Sequence, residues 1–243
     1  MDDIIDKDIP MTREKYDIEL ELWHFPLACS RATLIALEEI GCDYKTHILK
    51  IAQGEMQSPE FLALNPKGQI PILVVNRTPL TESVAIFTFL ANEFPGAKLL
   101  PASTTLAAAK ATSLLAFISS TLHPIVSRLL RPQRFCDIPD AMPRVKELAT
   151  TAMSERLTII EKMLGEHQWL CSADWTVVDA YFYWIEMALL RADFDLSAWP
   201  KIKAHYDRVL ERPSVVRALQ KDRNDFEAAQ RGGFNLPPGT RYL

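Results

Sequence analysis

A proline interrupts the most strand-like run of this chain, and few architectures accommodate it. Ile70-Pro71-Ile72-Leu73-Val74-Val75 is apolar and β-branched. A proline cannot donate to a ladder, so Pro71 must start the strand or lie on its edge, and an X-Pro bond in so tight a place is a candidate for the cis isomer. Asn65-Pro66-Lys67-Gly68 supplies a turn before the run, and Asn76-Arg77-Thr78-Pro79 carries it into Leu80-Thr81 as a hairpin. Upstream, Ile18-Glu19-Leu20-Glu21-Leu22-Trp23 alternates apolar with charged residues, the period of a strand. From Ser30 to Ile40 the apolar Leu34, Ile35, Leu37 and Ile40 recur at helical spacing, with Gly41 where a C-terminal cap belongs. Tyr44 to Ile51 reads as a second strand, and Ser58-Pro59-Glu60-Phe61 opens a short helix. Ser83 to Phe94 closes the unit as a helix with Val84, Phe87, Leu90 and Phe94 on one stripe. The order predicted is β-α-β-α-β-β-α.

Strand signals then stop. Pro95-Gly96-Ala97-Lys98-Leu99-Leu100-Pro101 reads as a linker, and helices are predicted over 104–130, 141–164, 176–191 and 200–211, an all-α bundle. Only 8 glycines in 243 residues agree with a helix-rich chain. Thr176-Val177-Val178-Asp179 has the spacing of a capping box. The expected organisation is a polar leader over 1–16, an α/β unit over 17–95, a linker over 96–103, a helical unit over 104–221 and a polar tail over 222–243 with a break at Gly232-Gly233.

Several function classes are disfavoured. The net charge of −4 and the absence of a long Lys/Arg cluster make nucleic acid a poor partner. The acidic start lacks the basic and apolar regions of a secretory signal, so a cytoplasmic protein is expected. The uncharged stretch from Ala111 to Ser127 carries eight polar or proline residues, too many for a membrane span, and no membrane partner is expected. Cys29, Cys42, Cys136 and Cys171 form neither a C-x-x-C pair nor a zinc spacing, which predicts no metal and no disulfide framework.

Three clusters could carry chemistry, and each has a plain structural explanation beside it. Cys29, in Phe25-Pro26-Leu27-Ala28-Cys29-Ser30-Arg31, falls at the start of the first helix, where free amides and the macrodipole favour a thiolate; a lone cysteine there also packs as a small apolar residue. Gln69-Ile70-Pro71 exposes the Ile70 backbone to a peptide-like ligand adding as a strand, or merely starts a strand. In Thr81-Glu82-Ser83 the acid suits an ammonium group and the helix start suits a carboxylate, or the serine simply caps. Together they fit a small peptide with a thiol and an α-amino-acid end.

At this point the chain resembles the cytosolic glutathione transferases. The resemblance runs from about Ile18 to Leu219 and rests on the β-α-β-α-β-β-α order, on Asn65 to Leu73, on Leu80 to Ile86 and on Thr176 to Tyr181. It implies a thioredoxin-like N-terminal domain, a helical-bundle C-terminal domain, glutathione as co-substrate, a small hydrophobic electrophile and a homodimer. It also implies that Pro71 is cis, that the Ile70 backbone binds the cysteinyl part, that Gln69 is a further glutathione-binding residue, and that Glu82 and Ser83 hold the γ-glutamyl group. The bacterial Beta type is the best match, through Pro26-Leu27-Ala28-Cys29-Ser30 and through Phe117-Ile118-Ser119-Ser120-Thr121-Leu122-His123. That match puts Cys29 at the glutathione sulfur, with Ser30 and His123 as further catalytic candidates.

The departures from that pattern are specific. Pro124 stands where Beta-type enzymes carry Lys, Ala116 where they carry Asn, and His24 where they carry Tyr. His24 either hydrogen-bonds sulfur or only ends its strand. Gln57, with Lys50 as another candidate, is expected at the glycine carboxylate. Arg128, Arg131 and Arg134 read as an exposed basic face or as a site for an acidic co-substrate. Phe117, Leu122, Phe135, Trp175 and Tyr181 are candidates for the electrophile site that the pattern does not separate from core. A transferase with a Cys29-dependent thiol-transfer activity is the favoured reading. The alternatives are a glutathione-dependent isomerase of the maleylacetoacetate kind, against which Ala28 stands in place of a serine, an ether- or halide-cleaving enzyme, and a non-catalytic glutathione-binding protein.

Overall fold

The computed structural model describes residues 18–165, 167–171 and 174–231. The expected leader over 1–16 and the Gly232-Gly233 break lie outside the described residues. Strands β1 (Leu20–His24), β2 (Lys45–Ile48), β3 (Ile72–Val75) and β4 (Thr78–Thr81) form one mixed sheet in the order β2-β1-β3-β4. β1 runs parallel to β2, while β3 is antiparallel to both β1 and β4. The alternation in β1 decides its orientation, because Leu20, Leu22 and His24 are buried and Glu21 and Trp23 are less so.

Helix α1 (Ser30–Ile40) follows β1 and ends as predicted. Gly41 adopts φ 72° and returns its amide to the Leu37 carbonyl at 3.0 Å. α2 (Pro59–Leu64) starts on Ser58, whose hydroxyl accepts the Phe61 amide at 3.2 Å. α3 (Ser83–Glu93) follows β4. The β3–β4 turn places Asn76 and Arg77 at positive φ, the geometry that matches strand twist. The Ile70–Pro71 bond is cis.

The remainder is helical: α4 (Leu106–Phe117), a π turn (Ile118–Leu122), α5 (His123–Leu130), α6 (Met142–Leu164), α7 (Val177–Arg191), α8 (Pro200–Leu210) and α9 (Pro213–Arg231). The single helix expected over 104–130 is thus three pieces, because the His123 amide bonds back to Ile118 across five residues. By length and composition alone the longer run Leu106–Leu130, at mean hydropathy 1.3, could cross a membrane. Its alanines and leucines outweigh the hydroxyls, and here it packs against α6 and α7.

α7 is the centre of the bundle, with every residue from Val177 to Leu189 buried. Truncating Ile185 or Leu189, both fully buried, to alanine costs about 2–5 kcal/mol. The predicted capping box is present at its start, where the Asp179 carboxylate accepts the Thr176 amide at 2.8 Å. The tail expected from 222 onward is corrected by α9, which continues to Arg231 and packs on α1. Val215, Ala218, Asp222 and Phe226 form its buried stripe, and an aspartate in one of those positions hid the helical period.

Candidate active site

The site is assembled where the start of α1, the proline edge of β3 and the start of α3 converge. Cys29 occupies the position before α1, and its thiol donates to the Ile70 carbonyl at 3.3 Å. Burial pushes this thiol up to about 12, against the opposing pull of the Cys29 and Ser30 amides and of the Arg131 charge. The helix terminus therefore does what electrostatics predicts, but desolvation is the larger effect. The loop before Cys29 is itself held in a sparsely populated conformation, with Leu27 at φ 69°. Two groups of α7 fix it: the Trp184 indole donates to the Leu27 carbonyl at 3.2 Å and the Arg191 guanidinium at 3.3 Å.

Glu82, immediately before α3, also lies at positive φ, 70°. Its carboxylate is exposed and meets Lys67 Nζ at 2.5 Å, so an ammonium group arriving there shares the acid with a lysine the sequence reading passed over. Ser83 is buried, and its hydroxyl acts on the Tyr181 phenol against the burial that raises it. Tyr181 in turn lies 3.0 Å from His123 Nδ1. Burial lowers His123 to about 4, so its imidazole is neutral near pH 7. Burial, with the nearby Cys29, keeps the Tyr181 phenol protonated.

Cys29 meets Ile70, while Tyr181, which the sequence places only among electrophile-site candidates, lies beside His123 and feels the charges of Cys29 and Glu82. His24 and Ser30 stand behind that group, both fully buried. His24 ends β1, as one alternative has it, and both its ring nitrogens are also engaged, Nδ1 at 2.7 Å from the Ser30 hydroxyl and Nε2 at 2.8 Å from Asp222. Gln69 is exposed, and its carbonyl is held by the Asn65 amide at 2.7 Å. Gln57 and Lys50 are exposed in the turns after β2, and none of the described hydrogen bonds ties their side chains to Cys29 or Glu82.

The three arginines do not share an exposed face. Arg128 folds over the Phe135 ring at 4.8 Å, Arg134 is exposed, and Arg131 is half-buried and acts on Cys29. Of the apolar candidates, Leu122, Trp175 and Tyr181 are buried, Phe117 is half-buried and Phe135 is exposed. Among the described residues no group of three His, Cys, Asp or Glu could hold a metal ion.

Residues 18–92 match the family description of the glutathione S-transferase N-terminal domain, and residues 137–222 that of the C-terminal domain. A glutathione S-transferase of Zea mays is 31% identical, over 82% of this chain and 93% of its own length. This chain belongs to the glutathione S-transferase family. The solved bacterial beta-class enzyme of Sphingomonas chungbukensis is 29% identical at TM-score 0.74, covering 83% of this chain and 98% of that one. A sphingomonad glutathione S-transferase solved in complex with glutathione is 27% identical at TM-score 0.74, with coverage of 83% and 98%. The fold is accordingly the thioredoxin-like domain and helical domain of the glutathione S-transferases, and the chain is a glutathione transferase enzyme.

Proposed function

We propose that this glutathione transferase lays glutathione along the proline edge before β3, lowers the pKa of its thiol and directs the thiolate at a small hydrophobic electrophile. The observation that carries the reading is the 3.3 Å contact between the Cys29 sulfur and the Ile70 carbonyl. A tripeptide that pairs with the Ile70 backbone as an added strand delivers its own central thiol to Cys29 and the start of α1. Its γ-glutamyl end then reaches Glu82, for the ammonium, and the amides at Ser83, for the carboxylate. Gln69, Gln57 and Lys50 remain the candidates for the other polar contacts. Neutral His123 and the Tyr181 phenol supply hydrogen bonds on the side facing the helical domain.

Thiolate formation is then the protein's contribution to the chemistry: helix-terminal amides and the Arg131 charge favour the anion, which attacks the electrophilic carbon and expels its leaving group. A second reading, thiol transfer by Cys29 itself, draws support from the same amides and from Arg131. The burial that pushes the Cys29 thiol up to about 12 weighs against it as the main reaction. By resemblance the enzyme works in the cytoplasm as a homodimer.

The test combines calorimetric glutathione binding, conjugation of chlorodinitrobenzene, and intact mass after incubation with oxidised glutathione, in the wild type and Cys29→Ala. Binding and conjugation by both proteins, with no adduct on either, supports glutathione as the nucleophile. A single adduct lost together with activity in Cys29→Ala moves the reading to thiol transfer. Binding without turnover of any electrophile or disulfide makes the chain a non-catalytic glutathione-binding protein.

A further inference from the structure

Behind the sulfur position lies a set of buried polar groups that this reaction scheme leaves unused. Ser30, His24 and Asp222 are each fully buried, and Asp222 comes from α9 at the far end of the sequence. The Ser30 hydroxyl lies 2.7 Å from His24 Nδ1, and His24 Nε2 lies 2.8 Å from Asp222 Oδ1. The second Asp222 oxygen accepts Arg31 Nη2 at 2.5 Å and the Leu27 amide at 3.3 Å. One carboxylate therefore grips the strained loop before Cys29 at its backbone, at its first histidine and at the first turn of α1.

Burial opposes the charge on Asp222, but Arg31 and the His24 bond outweigh it and hold the carboxyl down to about 2. An ionised carboxylate only accepts, so facing Nε2 it selects the His24 tautomer that carries its proton there. With a proton on Nε2, Nδ1 faces the Ser30 hydroxyl as its hydrogen-bond acceptor. The hydroxyl is then turned away from the sulfur, while the amides of Cys29 and Ser30 favour negative charge on the Cys29 sulfur. Arg191 of α7 and Asp225 of α9 are further charges acting on this network.

We propose that Asp222 is a positioning residue for thiolate formation, holding the loop from Leu27 to Ser30, through His24, Ser30 and the Leu27 amide, so that its helix-terminal amides face the glutathione sulfur. The proposal rests on the reading that glutathione binds with its sulfur beside Cys29. The step served is an ionisation: the sulfur–hydrogen bond breaks, the proton passes to solvent and the electron pair stays on sulfur. The C-terminal helix thereby becomes part of the thiol site although it contributes no group to the ligand.

The ultraviolet absorbance of the bound thiolate, titrated against pH, tests this in the wild type, D222N, H24Q and S30A, with glutathione binding and thermal unfolding measured beside it. D222N and H24Q are expected to raise the pKa of bound glutathione by about one unit, roughly tenfold less thiolate well below the pKa. The kcat for conjugation falls with it, while KM for glutathione changes less. S30A moves the pKa in the same direction. H24Q and S30A keep the Asp222–Arg31 pair, so they decide the matter if D222N fails to fold. Lower thermal stability in these variants with an unmoved thiolate pKa overturns the proposal and leaves the glutathione reading standing. A wild type that takes up no glutathione overturns both.

Discussion

Tyr181 is where the hydrogen bonds of the site meet, and its chemistry is easily missed in a stretch of α7 where tyrosine, phenylalanine and tryptophan crowd together. A phenol lying 3.0 Å from His123, with Ser83 near enough to act on it, ties the glutathione side of the cleft to the helical side. Tyr181→Phe keeps the ring and removes the His123 bond, so thermal stability should fall by about 1 kcal/mol. Glutathione affinity should also weaken, by about threefold to tenfold in calorimetry, as the hydroxyl beside Ser83 is lost. Ser83→Ala removes the other hydroxyl of the pair, and the double variant should cost less than the sum of the two. Cys29, Ile70-Pro71 and Glu82-Ser83 were legible in the sequence because turn and helix-start chemistry is local. Tyr181 and Asp222 were not, because a polar group inside an apolar helix, or an acid in a charged one, shows its purpose only once a distant element is packed against it.

Among the elements, the helical domain carries a second buried polar centre with a different task. His205 of α8 lies between Glu186 and Asp179 of α7, at 3.1 and 3.2 Å, and Asp179 also closes the capping box and accepts the Leu170 amide at 2.8 Å. Burial opposes a charge on His205, but Glu186 and the bonds to both carboxylates outweigh it and raise it to about 9. A folded-state pKa above the ordinary 6.5 means that this stabilisation is complete below about 6.5 and is lost as pH rises through about 9. Urea midpoints measured from pH 6 to pH 10 should therefore fall on the alkaline side, and His205→Gln should flatten that slope while lowering stability at pH 7. Asp179→Ala leaves the buried histidine and two amides without their acceptor and should cost about 3–5 kcal/mol. The capping box at Thr176–Asp179 was readable from spacing alone, whereas the histidine that completes it, 26 residues further on, was not.

The whole molecule is held together from the C-terminal side. α7 grips the Leu27 carbonyl, and α9 lies along α1 with Arg217 paired to Glu38 and Arg212, just before α9, paired to Glu39. A chain ended after Glu211 lacks Asp222 and uncovers the apolar face of α1. It should lose cooperative unfolding in a thermal scan rather than keep an independent N-terminal domain. The domain order was legible because the change from period two to helical spacing falls at one linker, but the cross-connections were not, since each joins residues far apart in sequence. Exposed apolar side chains remain at Leu106 on α4 and at Leu148 and Ile159 on α6. In sedimentation the proposed homodimer should appear at micromolar protein, and charged substitutions at Leu148 and Ile159 test whether α6 lies in its interface.

The π turn at Ile118–Leu122 has a meaning for length. A five-residue step takes up one residue more than the surrounding α-helix needs, and the surplus is absorbed locally, so α4 and α5 keep their own faces toward α6 and α7. A shorter chain missing one position there would bring His123 to the same wall of the cleft by an uninterrupted helix. The cleft is thus tolerant of a one-residue change in chain length at this turn, and a single-residue gap when relatives are laid side by side should fall there without moving the imidazole.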